Sequence, residues 1–197
     1  MLILSTRMLP VIAENFEIGT NTILVYQTKA GEQQQQFVLR IARFKPDIVL
    51  EWESYSHQGT IHLFKSAVEN SSQYSVNELF DVGVDTETGK VTTKWLSKKM
   101  YENLITEGKA KIKLNRITAD FQLKEESTRQ LLVNKVETNV PVIVLTDNRN
   151  GLWAFLKSSE NPILIEYETP YYHENLARVS TDESNQLRWI KKLPPVQ

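Results

Sequence analysis

Most of this chain alternates apolar and polar residues with a period of two, in runs rich in Val, Ile, Thr and aromatic residues. Such runs are typical of half-buried β-strands. The stretch "TNTILVYQTKAGEQQQQFVLRIARF" predicts two strands, residues 21–29 and 34–44, joined by a turn at Ala30-Gly31. Glycine suits that position because it adopts positive φ angles without a steric cost.

The alternation also predicts which face of each strand is buried. In the second strand the core face carries three apolar side chains: Phe37, Leu39 and Ile41. In "DIVLEWESYSHQGTIHLF" the pattern places Ile48, Leu50 and Trp52 on one face, and Glu51 and Glu53 on the other. A hairpin turn near Gln58-Gly59 is predicted to follow.

The second half of the chain continues the β pattern. "KAKIKLNRI" alternates strictly, with its lysines on a solvated face. Residues 142–145 are apolar on both faces, which is typical of a central strand covered on each side. A final strand is predicted at residues 175–179. We therefore predict a mainly β fold, a single-domain antiparallel β-sandwich or partly closed barrel with one packed α-helix.

That helix is predicted at residues 98–107. Its apolar residues form one stripe: Leu96, Met100, Tyr101, Leu104 and Ile105. Ser97 occupies the N-cap position, and Leu96 and Tyr101 are spaced to form a hydrophobic staple. Gly108 stands where a left-handed C-terminal cap is expected.

Composition supports one globular body. The chain has 197 residues, with 41% hydrophobic and 24% charged, and no Gly/Ser-rich or Pro-rich linker divides it. We predict a single β-rich domain over residues 1–197, with loosely ordered ends at 1–10 and 182–197.

The net charge and the N-terminal sequence restrict the partners and the compartment that we expect. Lys and Arg total 23 and Asp and Glu total 24, so no overall positive field attracts nucleic acid, and no nucleic-acid partner is expected. The opening apolar run is interrupted by Ser5, Thr6 and Arg7, which fits neither a signal peptide nor a transmembrane segment. The expected compartment is the periplasm or cell surface if a leader has been removed, and the cytoplasm otherwise.

Two clusters are candidates for a metal site. The chain has no cysteine, and Asp81, Asp85 and Glu87 lack the spacing of a regular calcium loop. His57 and His62, with Glu53, could form a site across a turn, but their odd separation favours opposite faces of a strand. We predict no metal and no cofactor.

Catalytic motifs are weak in this sequence. No serine lies in a G-x-S-x-G elbow, and neither standard phosphate-binding loop is present. Glu51 and Glu53 share a strand face, as two glycosidase carboxylates could, but a solvated face explains them equally well. We assign no catalytic residue and favour a protein that is not an enzyme.

The aromatic residues suggest a contact site. Trp52, Trp153 and Phe155 are predicted to fill the core. In "TPYYHENL", Tyr171 and Tyr172 must point apart, which leaves one of them near the surface. Together with Trp95 at the start of the helix, these tyrosines are the predicted contact residues for a ligand or partner.

Three segments carry a resemblance: "DIVLEWESYSHQGTIHL", "TTKWLSKKMYENL" and "GLWAFLKSSENPILIEYE". Over residues 47–168 the chain resembles a loose group of uncharacterised, typically exported bacterial β-rich proteins. The residues that match the pattern are Trp95, Ser97, Trp153, Asn161 and Pro162. The resemblance implies an envelope or surface protein and brings no catalytic residue with it.

Three functions follow as hypotheses. The first is a non-catalytic binding or carrier domain of the bacterial envelope or cell surface, for a small apolar ligand or a protein partner. The second is a structural or assembly component that interacts through an exposed sheet edge. The third is a carboxylate-dependent hydrolase.

Overall fold

The architecture is mainly β, as the alternating pattern predicts. A computed structural model describes residues 17–54, 57–80 and 85–181. The predicted loose ends at 1–10 and 182–197 lie outside the described residues. The strands are β1 (Ile23–Ala30), β2 (Gln33–Phe44), β3 (Ile48–Glu53), β4 (Gln58–Leu63), β5 (Gln73–Tyr74), β6 (Thr86–Thr88), β7 (Val91–Thr92), β8 (Lys109–Leu114), β9 (Ile117–Val133), β10 (Val136–Asp147), β11 (Leu152–Leu156), β12 (Leu164–Thr169) and β13 (Tyr172–Ser180).

The thirteen strands of the described residues belong to one sheet, in the order β6-β4-β3-β2-β1-β13-β12-β11-β10-β9-β8-β5-β7. Most neighbours are antiparallel, but β4–β6, β5–β7, β5–β8 and β9–β13 are parallel, so the sheet is mixed. The contact between β13 and β9 at Arg178 and Val179 closes five strands into a partial ring. The predicted partly closed barrel therefore corresponds to this ring.

The described ranges contain two short helices, α1 (Lys65–Asn70) and α2 (Lys98–Glu107). α2 has the predicted bounds and both predicted caps, since Ser97 Oγ accepts a hydrogen bond from the Met100 amide at 3.1 Å and Gly108 has φ 69°. Ile105 departs from the predicted stripe and is 40% exposed. α1 is additional to the one predicted helix. Neither helix in the described part of the chain has the length and apolarity needed to cross a bilayer.

Two local predictions differ from the structure. The turn between β3 and β4 lies before Gln58, so Gln58 and Gly59 are strand residues. Gly59 has a packing role there, because a Cβ at this position would lie 2.7 Å from Trp52 Nε1 on the neighbouring strand. The final strand begins at Tyr172, three residues earlier than predicted.

The core consists of two main clusters on opposite faces of the sheet. Val142 and Val144 of β10 belong to the first cluster, and Ile143 and Leu145 to the second, as expected for a central strand. The predicted core aromatics Trp52, Trp153 and Phe155 are all buried. The second cluster packs beneath α2, whose Met100, Tyr101 and Leu104 are buried there.

Candidate functional site

The three predicted contact residues lie in different environments. Tyr171 is in the β12–β13 turn and is 86% exposed. Tyr172, the first residue of β13, is half-buried and points the other way. Trp95 is 1% exposed and belongs to the first core cluster. A side chain so deeply buried offers no surface to a partner, so the candidate site is built around Tyr172.

A segment between β7 and α2 brings a charged side chain beneath this region. Lys94 has φ 57°, in the left-handed region that a residue with a side chain adopts at a cost of about 1–3 kcal/mol. The segment is fixed to the start of β12, because the Lys94 carbonyl accepts from the Leu164 amide at 2.7 Å and the Leu96 amide donates to Pro162 at 3.0 Å. This backbone directs the Lys94 side chain into the interior.

Lys94 forms a fully buried ion pair with Glu174 of β13, and both side chains are 0% exposed. The ammonium of Lys94 donates to Glu174 Oε1, to Val76 O at 3.3 Å and to Asn77 Oδ1 at 3.2 Å. Lysine has three N–H donors, so each finds a partner. Such saturation is needed because removing two charges from water costs several kcal/mol per ion.

Three aromatic rings surround the buried ammonium. Lys94 Nζ lies 5.3, 5.0 and 5.2 Å from the ring centroids of Tyr26, Phe37 and Phe80. Ring faces attract a cation when desolvated, with about 2 kcal/mol or more available. Burial lowers the pKa of Lys94, and the Glu174 carboxylate opposes that shift. Burial also raises the pKa of Tyr26 well above its ordinary value, and Glu174 adds to the rise.

The ion pair orients two polar side chains nearer the surface through hydrogen bonds. Because Asn77 Oδ1 accepts from Lys94, Asn77 Nδ2 faces Tyr172 and donates to its hydroxyl at 2.9 Å. The Tyr172 hydroxyl in turn donates to Glu174 Oε2 at 3.1 Å. Burial, and then the Glu174 carboxylate, raise the pKa of Tyr172 above its ordinary value. Asn77 and Tyr172 are therefore held in one hydrogen-bonding orientation by two buried charges.

A groove of about 270 Å³ lies over this network, and we call it the Tyr172 groove. Its aromatic lining is Phe37, Trp52, Phe80 and Tyr172, and its other lining includes Thr28, Gln33, Gln35, Gln36, Ser54 and Asn77. Ala30 and His57 complete it. Among the described residues that line the groove there is no Asp, Glu, Lys or Arg.

The groove is a polar extension of the core face of the sheet. In β2 the core-face residues Leu39 and Phe37 are followed, toward the hairpin end, by Gln35 and Gln33 on the same face. In the register, Thr28 pairs with both Gln35 and Glu174, and Ala30 pairs with Gln33 and Tyr172. One face of three adjacent strands thus changes from buried apolar residues to amides and hydroxyls.

The aromatic rings of the groove pack on one another. Phe80 lies 5.6 Å from Phe37 and 5.7 Å from Trp52, centroid to centroid. Trp52 lies flat enough against β4 that only glycine fits at position 59. The Trp52 indole N–H is buried and has no hydrogen-bond acceptor in the described structure. The rings therefore form a continuous apolar wall beside the amides.

The candidate metal residues are separated. His62 Nε2 lies 3.0 Å from Asp47 and Nδ1 lies 3.6 Å from Glu87, whereas His57 lines the groove at the other end of β4. The hydrogen bond from His62 lowers the pKa of Asp47. Within the described ranges no group of three or more His, Asp or Glu side chains could hold a metal ion. Asp81 lies outside the described residues.

The candidate acid pair lies on the far side of β3 from the groove. The burial pattern of β3 alternates, with Trp52 on the core face and Glu51 and Glu53 on the other. Glu51 Oε2 accepts from Arg40 Nε at 2.8 Å. The two carboxylates therefore do not contribute to the Tyr172 groove.

Sequence reasoning missed Lys94, Glu174 and Asn77. Extending the last strand back to Tyr172 would have placed Glu174 on the same face as Tyr172 and Leu176, which marks it as a buried acid. Extending the first hairpin by one residue would have shown Gln33 and Gln35 on the Phe37 face. No sequence signal identifies Lys94, because its partner is eighty residues away.

Neither a scan against models of protein families nor a search of curated proteins found a match.

Proposed function

We propose that this protein is a non-catalytic binding or carrier domain whose ligand site is the Tyr172 groove. The observation that supports this most directly is the construction of the groove wall. Asn77 and Tyr172 are oriented by a fully buried Lys94–Glu174 pair, beside a continuous surface of aromatic rings. Ligand sites combine apolar walls with a few fixed polar groups in this way.

The buried pair supports a functional role because it is a costly way to stabilise a fold. Apolar residues of similar volume in place of a buried ion pair are often neutral or stabilising by about 1–4 kcal/mol. Lys94 also adopts a left-handed backbone conformation to reach its partner. An arrangement with both costs is expected where it positions other groups.

The two alternative functions gain less support. The edge strands of the described sheet, β6 and β7, have three and two residues, and such short edges offer few backbone groups for assembly. Glu51 is paired with Arg40 on the face opposite the groove. The resemblance to exported β-rich proteins supports an envelope or cell-surface setting for the binding role.

The test is a screen of small molecules by ¹H–¹⁵N NMR, read at the side-chain amides of Gln33, Gln35 and Asn77. We expect at least one chemical class to give saturable shifts at these signals. Tyr172→Phe removes the hydroxyl but keeps the ring, and should weaken binding by about three- to tenfold, the worth of one hydrogen bond. Tyr171→Ala tests the exposed neighbour separately.

Two results would contradict the proposal. One is a set of ligands whose shifts map to another surface and leave the three amides unchanged. The other is turnover of a bound molecule that is lost in Glu51→Gln or Glu53→Gln, which would favour the hydrolase hypothesis.

A further inference from the structure

The lining of the Tyr172 groove also restricts the class of its ligand, and this step rests on the proposed function. The described lining side chains include no acid, lysine or arginine. Lys94 and Glu174, behind the wall, neutralise each other and have no exposed surface. Apart from the His57 imidazole, the described lining offers a charged ligand no ionisable partner, so such a ligand would lose hydration with little compensation, which is unfavourable. The groove therefore favours a neutral ligand.

The polar groups of the groove both donate and accept hydrogen bonds. Gln33, Gln35 and Asn77 each carry an amide N–H₂ and a carbonyl oxygen, and Thr28 and Ser54 carry hydroxyls. A ligand rich in hydroxyl groups matches this set, because a hydroxyl also donates and accepts. A purely apolar ligand would cover the amides of Gln33 and Gln35 without offering them partners, at about 1–3 kcal/mol for each group that it buries.

A peptide is a poorer match because the backbone of the groove is already paired. β2 lies between β1 and β3, and β1 lies between β2 and β13, so their amides and carbonyls bond within the sheet. Binding an extended peptide as an added strand needs a free edge. Recognition in the groove must use side chains.

The aromatic wall suits the apolar face of a sugar ring. Phe37, Trp52 and Phe80 present adjoining rings, and the amides of β2 lie beside them. A pyranose has C–H groups on its faces and hydroxyls around its rim, so it can pack on a ring while its rim bonds to amides. A volume of about 270 Å³ lies at the small end of ligand sites and fits about one or two sugar units.

We infer that the Tyr172 groove binds a neutral saccharide of one or two units, with Gln33 and Gln35 contacting its hydroxyls. A control residue lies on the same strand, β2. Gln34 has the same chemistry as its neighbours but points to the opposite face of β2 and does not line the groove.

The experiment titrates the full chain with cellobiose, maltose and N,N′-diacetylchitobiose, and follows the side-chain amides and the Trp52 indole by NMR. Galacturonic acid, glucosamine and hexanol are the anionic, cationic and apolar comparison probes. We expect saturable shifts with at least one neutral disaccharide. Gln33→Ala/Gln35→Ala should weaken that binding by about tenfold or more, through two lost hydrogen bonds, and Gln34→Ala should change it less than about twofold.

The source of the sugar is tested with a tetrasaccharide of the disaccharide that binds. If the tetrasaccharide binds as tightly as the disaccharide, the ligand is the end of a longer glycan. If the tetrasaccharide binds more weakly, the ligand is the free sugar. Either result supports a saccharide site.

The outcomes separate this inference from the proposed function. Saturable groove shifts with only a charged or apolar probe would overturn the saccharide assignment and keep the groove as a binding site. Equal loss of sugar binding in Gln34→Ala and Gln33→Ala/Gln35→Ala would overturn the assignment to the groove wall. Absence of shifts with every probe would count against both proposals.

Discussion

The core beneath α2 and the site around Lys94 both exclude water, but they are stabilised by different interactions. Beneath α2, Met100, Tyr101 and Leu104 pack against apolar strand residues, and the helix ends are satisfied by Ser97 and Gly108. Around Lys94, an ion pair and two polar side chains complete one another's hydrogen bonds.

Because of this difference, substitutions in the two regions should lower the stability of the fold in different ways. Apolar packing is lost in proportion to the volume removed, because each buried methylene contributes separately. A buried ion pair is coupled, so removing one member leaves the other charged and without a partner. The largest effects of substitution should therefore occur at the polar site.

The strongest test of this contrast is Lys94→Met. It should lower the free energy of unfolding by about 3–5 kcal/mol, because Glu174 would remain buried without its counter-ion. Chemical denaturation measures the change. The control is the double variant Lys94→Met/Glu174→Leu, which removes both charges and should recover most of the loss. Equal destabilisation in the single and double variants would mean that the two residues contribute independently.

The matching test of the apolar region is Leu104→Ala. Leu104 is fully buried, so we expect a loss of about 2–4 kcal/mol in the free energy of unfolding. Ile105→Ala is the matched control, since Ile105 is its exposed neighbour on the same helix and should change stability by less than about 1 kcal/mol. Similar losses in the two variants would contradict the observed orientation of α2.

A smaller effect is expected at the cap of α2. Ser97 Oγ accepts from the Met100 amide at 3.1 Å and donates to the Ser71 carbonyl at 2.6 Å, where α1 ends. Ser97→Ala should cost about 1–2 kcal/mol, measured by thermal and chemical unfolding. Ser97→Thr keeps the hydroxyl and should retain most of the stability. A loss in Ser97→Thr as large as in Ser97→Ala would show that shape, and not hydrogen bonding, matters at this position.

The smallest effect is expected at a partly exposed ion pair, which serves as the counterpart of the buried one. Glu166 accepts from Arg129 Nε at 2.8 Å and lies 3.2 Å from His173 Nε2. Burial raises the pKa of Glu166, but the hydrogen bonds from Arg129 and His173 outweigh it and leave the pKa lowered.

Because the folded pKa of Glu166 is lowered, its contribution to stability is present above the ordinary carboxyl pKa of about 4.3 and is lost as the pH falls through the folded value. Glu166→Gln should therefore reduce the acid dependence of the melting temperature, with Glu168→Gln on the same strand as control. If the melting temperature of Glu166→Gln falls with acidification as steeply as that of the unmodified protein, the Glu166 carboxylate is not linked to folding.

Local patterns were sufficient for α2 and for most strands. Ser97, Gly108 and the apolar spacing all act within one helix, so the sequence alone predicts its bounds. The burial of β10 on both faces was equally predictable, because four consecutive apolar residues require cover on each side of the sheet. The burial of Ile105 was predicted wrongly because the apolar stripe of α2 is wider than the part of the helix that packs on the second cluster.

What the sequence determined by itself was the mainly β character, the alternating faces of β2 and β3, and the one capped helix, since these depend on neighbours within a few residues. Tertiary structure decided the partial ring, which needs β13 to meet β9, and the groove, which needs β1, β2, β13 and residues 75–80 to converge. It also decided that Lys94 is buried. A lysine is normally exposed, and only the arrival of Glu174, Asn77 and three aromatic rings from distant parts of the chain makes its burial tolerable.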